Sequence, residues 1–164
     1  MKLSKIVPCL WFGHTAEEAA RFYCGIFPNS KIGKIAYYGK AGYEQHQMKE
    51  GTVLTVQFQL DGQEFTALNG GDIFKFSEAV SLQIMVDDQK ELDYYWDKLG
   101  AGGDPKAQVC GWLKDKYGLS WQVAPRKIVD WWGVPNEKSE RAMTALMTMK
   151  KLDIAALEKA YEGR

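Results

Sequence analysis

Between Ile6 and Val123 the chain runs twice through one order of local patterns: a strand, an amphipathic helix, then further strands. No other feature restricts its possible folds as much. The first round opens with an apolar run, Ile6 to Phe12, broken by Gly13-His14. Thr15 with Glu18 then spells a capping box, in which each side chain takes up a free backbone N–H of the first helical turn. Ala19, Phe22, Tyr23 and Ile26 follow at helical spacing, and Gly25 stops the helix. Ile32 to Tyr38 reads as a strand and Gly39 to Gly51 as a polar loop. Thr52 to Leu60 and Gln63 to Asn69 read as a hairpin around Asp61-Gly62, a pair suited to the two positive-φ positions of a type I′ turn.

The second round begins with the strand Val80 to Val86 and a second cap, Asp88 with Glu91. The helix Gln89 to Leu99 carries Leu92, Tyr95, Trp96 and Leu99 on one face, and Gly100 ends it. Ala107 to Val123 predicts three shorter strands. The most informative part is Cys110 to Pro125, a hairpin with a strand through Trp112 and Leu113, a turn at Asp115 to Gly118 and a return strand from Leu119 to Val123. Side-chain alternation puts Ser120, Gln122 and Ala124 on one face of that return strand, and Leu119, Trp121 and Val123 on the other. Two βαβββ units in tandem, about 5–70 and 79–124, predict one α+β domain over 1–125 whose sheets curve around a shared cleft.

Residues 126–164 predict a helical extension. Asn136 caps a helix bearing Met143, Leu146, Met147 and Lys150, and Asp153 caps another with Ile154, Leu157 and Tyr161. The Met-rich stripe reads as a packing surface, on its own domain or across a dimer. The pair Trp131-Trp132 could cover a cleft mouth or a subunit interface, and the interface reading is favoured.

Composition narrows the function classes. A chain of 164 residues suffices for one good core, and zero formal net charge gives no electrostatic case for nucleic acid or an anionic membrane. No apolar run is long enough to span a bilayer. The N-terminal MKLSKIVPCLWF has no small-residue cleavage site and does not read as a secretory signal. Cys9, Cys24 and Cys110 form neither a C-x-x-C pair nor a disulfide framework, so they read as reduced thiols in the cytoplasm. His14 and His46 read as solvated surface histidines.

Five stretches carry a likeness to a known family: Ile6-Val-Pro-Cys-Leu-Trp-Phe12, Ala16-Glu-Glu-Ala19 with Phe22-Tyr23, Ile26-Phe-Pro-Asn-Ser30, Phe65-Thr-Ala-Leu-Asn-Gly-Gly71, and Cys110 through Val123. Across residues 5 to 125 the chain resembles the vicinal oxygen chelate superfamily, which includes glyoxalase I, extradiol dioxygenases and bleomycin-resistance proteins. Within it the chain looks like the PhnB-like branch, often labelled 3-demethylubiquinone-9 3-methyltransferase. The resemblance implies a glyoxalase/bleomycin-resistance-like fold. Its metal-using members carry histidine, glutamine or carboxylate ligands at four strand positions. Laying this chain on that pattern puts Pro8, Ala67, Ser81 and Gln122 there. Such a set does not hold Zn²⁺, Fe²⁺ or Mn²⁺ tightly, so neither a metal nor another cofactor is expected.

What the pattern leaves is a cleft lined by Ser81, Gln83 and Met85 on one strand and Ser120 and Gln122 on another. The Asp-Gly hairpin register adds Phe58, Phe65, Ala67 and Asn69 as residues sharing a face. Trp11 and Trp121, of opposite parity to Pro8 and Gln122, go to the helix-facing core. Aromatics mixed with amides and hydroxyls suit a small, partly apolar ligand held by neutral hydrogen bonds. The first reading is therefore a metal-independent small-molecule binding protein, a homodimer, with no nucleic-acid or membrane partner. The alternatives are an enzyme of the superfamily (a metal-dependent lyase, isomerase or dioxygenase, or the methyltransferase of the family label) and an interaction module working through the helical tail. The methyltransferase reading lacks a glycine-rich strand-to-helix turn, since Asn69-Gly70-Gly71 precedes no helix start.

Overall fold

The computed structural model describes residues 4–133 and 135–164. Part of the N-terminal stretch weighed as a signal, residues 1–3, lies outside the described residues. The chain divides into two compact units, residues up to 75 and residues 76–164, each a sheet with helices. The fold is α+β. No helix among the described residues is long and apolar enough to cross a membrane.

The first unit contains β1 (Cys9–Phe12), α1 (Ala16–Cys24), β2 (Lys31–Tyr37), the short α2 (Tyr43–His46), β3 (Val53–Leu60) and β4 (Gln63–Asn69), with strand order β1-β4-β3-β2. β1 is shorter than the apolar run predicts. Pro8 has no N–H to give a ladder, and only its carbonyl is used, by Thr66 N–H at 2.9 Å. Asp61 and Gly62 both adopt positive φ, 46° and 81°, and set Phe58 opposite Phe65 as the Asp-Gly turn predicts.

One face of this sheet is closed by α1. Leu10, Phe12, Val56, Phe58, Leu60, Phe65 and Ala67 are buried on it, with Tyr23 of the helix stacked over Phe58 at 6.5 Å between ring centres. The Thr15 hydroxyl makes no cap hydrogen bond, contrary to the capping box expected there. Instead the Ala16 N–H donates to Asn69 Oδ1 at 2.8 Å, so the helix is capped from the end of β4.

The second unit contains β5 (Ser81–Val86), α3 (Gln89–Gly100), a 3-10 turn (Pro105–Ala107), β6 (Trp112–Lys114), β7 (Ser120–Pro125), α4 (Ile128–Trp131), α5 (Glu137–Leu146) and α6 (Ile154–Glu162). Strand order is β5-β7-β6, with β5 and β7 parallel. The expected cap at α3 is present: Asp88 accepts from Glu91 N–H, and Glu91 reaches back to Asp87 N–H, both at 2.8 Å. Leu92, Trp96 and Leu99 of α3 join Ile84, Val86, Leu113, Trp121 and Val123 in the core.

Two strands, not three, form between Ala107 and Val123. Val109 makes an isolated bridge to Trp112, and the backbone then turns left-handed at Cys110 (φ 51°) and Gly111 (φ 83°). The N–H groups of Cys110 and Gly111 donate instead to the carbonyls of Met149 and Lys150, each at 2.8 Å. The tail thus takes hydrogen bonds a further strand would have used. It is fixed again by Gln89, whose amide donates to Leu152 O (3.1 Å) and accepts from Ile154 N–H (2.9 Å). Asn136 and Asp153 cap α5 and α6 as expected. The packed stripe of α5 is Ser139, Ala142 and Leu146, whereas Met143 and Met147 are exposed. Of the stripe read as a packing surface, Leu146 packs within the unit, whereas its two methionines do not pack there.

Candidate functional site

In the second unit, strand register aligns Ser81 with Ser120, Gln83 with Gln122 and Met85 with Ala124, while β6 adds Trp112 beside Gln122 and Lys114 beside Ser120. These residues occupy the sheet face opposite α3, as their alternation with Ile84, Trp121 and Val123 requires. A hydrogen-bonded row crosses it: Gln83 Nε2 donates to Gln122 Oε1 at 3.3 Å, and Gln122 Nε2 donates to Ser81 Oγ at 2.8 Å. The two amides thus orient one another, leaving Gln83 Oε1 and one N–H of each amide without a bond inside the row.

Next to this row is a recess of about 580 Å³ whose walls include Val109, Cys110, Trp112 and Met147. Cys110 Sγ and Met147 Sδ stand 3.8 Å apart across it. Ser120 forms part of its lining. Its side chain is 1% exposed, and its hydroxyl has no hydrogen-bond partner among the described residues. A buried hydroxyl left in this way costs free energy until something bonds it. At the rim, Lys114 Nζ pairs with Glu78 Oε1 at 2.5 Å.

The hairpin that presents these residues is held from behind by Asp115. This carboxylate is 2% exposed and accepts from Tyr117 N–H (2.8 Å), Leu119 N–H (3.1 Å) and the Trp121 indole N–H (2.8 Å). Trp121 lies in the helix-facing core, as its parity implies.

The first unit corrects part of the expected lining. Phe58, Phe65 and Asn69 do share a face, but it is the one closed by α1, so they are core residues and not open to a ligand. Asn69 uses both ends of its amide: besides taking Ala16 N–H, Nδ2 donates to Val53 O at 2.9 Å. Ala67 is fully buried on the same face. Trp11, expected in the core, belongs to the opposite face with Cys9. Its indole donates to Gly71 O at 2.8 Å, and its ring lies so close over Gly70 that a Cβ there would come within 2.2 Å of it. The all-apolar run Ile6 to Phe12 has no alternation from which to read parity, and its faces are set only by the pairing of Leu10 with Ala67 and Trp11 with Leu68.

The resemblance read from the sequence would bring a metal with it if the chain followed the metal-using members, and the residues present do not fit one. Of the four positions laid on the metal-site pattern, Ala67, and Pro8 by its parity with Leu10 and Phe12, fall on the face closed by α1, so that half of the alignment does not hold. Ser81 and Gln122 stand on the second sheet's open face, and among the described residues no three histidine, cysteine or acidic side chains cluster. A nucleotide-type cofactor loop fits no better. Asn69-Gly70-Gly71 is occupied by the α1 cap and the Trp11 ring, and the strand-to-helix turns at Gly13–Thr15 and Asp87–Asp88 are not glycine-rich.

His46 accepts Met48 N–H at Nδ1 (2.9 Å) and its Nε2 stands 3.1 Å from Ala41 O, so it braces its own loop. His14 Nε2 stands 3.8 Å from Asp72 Oδ2, both side chains exposed. Trp131 stacks on Tyr161 at 4.7 Å between ring centres, tying α4 to α6. Burial pushes the Cys24 thiol up, partly offset by Arg21, and it donates to Gln59 O. The recess itself was missed from sequence. Met147 and Cys110 meet only because of the Met149 and Lys150 contacts, which no local pattern encodes.

Residues 4–124 match the family model described as 3-demethylubiquinone-9 3-methyltransferase. Among solved structures, the PhnB protein of Bacillus cereus is 37% identical, with 73% of this chain and 98% of that one covered and a TM-score of 0.61. A Pseudomonas aeruginosa protein is 17% identical over 75% of this chain and 98% of its own, with a TM-score of 0.57, a likeness of fold. No curated protein matches.

Proposed function

Because this chain belongs to the 3-demethylubiquinone-9 3-methyltransferase family, in its PhnB-like branch, we propose that it binds a small, partly apolar molecule at a metal-free site on the open face of β5-β7-β6. The observation that carries this reading is the unpartnered, buried Ser120 hydroxyl lining the recess, beside the Ser81–Gln122–Gln83 row. Apolar walls would supply most of the binding free energy, and the hydroxyl and amides would set orientation. A cytosolic homodimer completes the reading. It is supported by free cysteines and by the apolar side chains of Val109, Met143 and Met147 standing in solvent.

Binding is preferred to methyl transfer because the site offers hydrogen-bonding groups in a shaped recess and no donor set suited to a metal or nucleotide cofactor. The test is a thermal-shift and calorimetric screen of aromatic and metabolite libraries on wild type, Gln83→Leu and Gln122→Leu. Saturable binding weakened by both variants is expected. Failure of every compound to bind, or binding indifferent to both substitutions, would overturn the proposal. Sedimentation of the same protein measures the dimer.

A further inference from the structure

The ion pair at the rim of the recess is lopsided. Lys114, on β6, has only 25% of its side chain exposed, whereas Glu78 is 65% exposed and reaches in from the irregular segment between β4 and β5. The cation is held by the sheet, and its counter-charge sits on a side chain free to swing into water. The Lys114 hydrogen bond holds the Glu78 carboxyl below the usual carboxylate range, so it is present as an anion at neutral pH.

We propose that Glu78 occupies the seat of a ligand carboxylate. The recess takes a small aromatic monocarboxylate whose ring lies against Trp112, Val109 and Met147 and whose carboxylate displaces Glu78 from Lys114. This rests on the reading of the recess as a ligand site. Three observations converge on an anion. Of the two charges in the rim pair, the better-packed one is positive. Ser120 offers an O–H with no acceptor of its own among the described residues. The existing partner is a carboxylate whose exposed pairing contributes little, so exchanging one carboxylate for another is nearly even, and ring burial decides the outcome. A volume of about 580 Å³ admits a one- or two-ring acid.

The test is calorimetric titration of the full-length protein with 2-naphthoate and with the isosteric neutral 2-naphthamide. Wild type is expected to bind the acid about tenfold or more tighter than the amide. Glu78→Gln, which removes the internal competitor, is expected to tighten the acid severalfold and leave the amide unchanged. Lys114→Met is expected to erase the preference and Lys114→Arg to keep it, which separates loss of charge from loss of fold. Equal binding of acid and amide, or acid binding unaffected by Lys114→Met, overturns the carboxylate assignment while leaving the ligand site standing. Absence of binding by both probes also overturns it. Absence of binding by every compound in the wider screen overturns the site as well.

Discussion

Asn69 and Ala16 are joined by a hydrogen bond of 2.8 Å that starts a helix from the far end of another strand. Such an arrangement moves capping from a local sequence property to a tertiary one. Asn69→Ala would leave the Ala16 N–H and the Val53 carbonyl without partners, and it is expected to cost about 2 to 4 kcal/mol. Thr15→Ala, by contrast, is expected to change stability little, since its hydroxyl makes no cap bond. Urea denaturation of the two variants checks both. A larger loss for Thr15→Ala would show that the helix is capped locally after all.

Asp115 serves both sides of the hairpin turn at once, with Oδ1 taking two backbone N–H groups and Oδ2 the Trp121 indole. An amide has one acceptor oxygen, so Asp115→Asn must turn an N–H toward a donor whichever way it faces. A loss of about 2 kcal/mol is expected, and Asp115→Ala should lose more. Equal stability of wild type and Asp115→Asn in chemical denaturation would rule out this geometry.

Ser120→Ala divides stability from binding. In the ligand-free protein it removes a buried hydroxyl that has no partner among the described residues, so the melting temperature should stay level or rise by a few degrees. Affinity for any ligand of the recess should fall in the same variant. A lowered melting temperature without ligand would mean that the hydroxyl is already satisfied.

The tail's attachment to α3 should be sensitive to acid. Hydrogen bonds from Gln89 first, then Lys151, hold the Asp93 carboxyl below its ordinary value of 3.8. A depressed folded value means the contribution is present at higher pH and is lost as pH falls through the folded value, below about 3.8. Lys151 shifts the other way, raised above 10.5 by Asp93, so its share is present at lower pH and lost only in strong alkali. The pair is partly solvent-exposed, and its effect should be small and reduced by salt. Hydrogen exchange of α6 measured across pH 2 to 6 tests this: exchange should accelerate below about pH 4, and Gln89→Leu should shift the onset upward.

The polar face of the second unit's sheet was readable because alternation puts Ser81 with Gln83 on one side of β5 and Ser120 with Gln122 on one side of β7, and the parallel register sets the two pairs side by side. The first unit's faces were not, and the reason is physical. The Asp61-Gly62 turn sets which residues of β3 and β4 stand opposite each other, but not which side a helix will cover. That side is chosen by where α1 docks, and the asparagine that helps dock it looks from sequence like any polar strand residue before a Gly-Gly turn. The missing third strand of the second unit had a similar cause. Val109 to Gly111 has apolar character enough for a strand, yet its N–H groups are taken by carbonyls nearly forty positions later.

In each sheet the opening strand is an edge that pairs only with the closing one, Cys9 to Phe12 with Thr66 to Asn69 and Ser81 to Val86 with Ser120 to Pro125. During synthesis neither opening strand has its ladder partner until most of its unit has left the ribosome. Its hydrogen-bonding edge and apolar side chains must wait unprotected meanwhile. The local hairpins, β3–β4 and β6–β7, can form first and serve as the templates on which the waiting strands are laid. The rate at which each unit matures should then depend on the strength of its hairpin, and a weakened Asp115 turn should reveal itself first as slower folding and greater chaperone dependence in the cell.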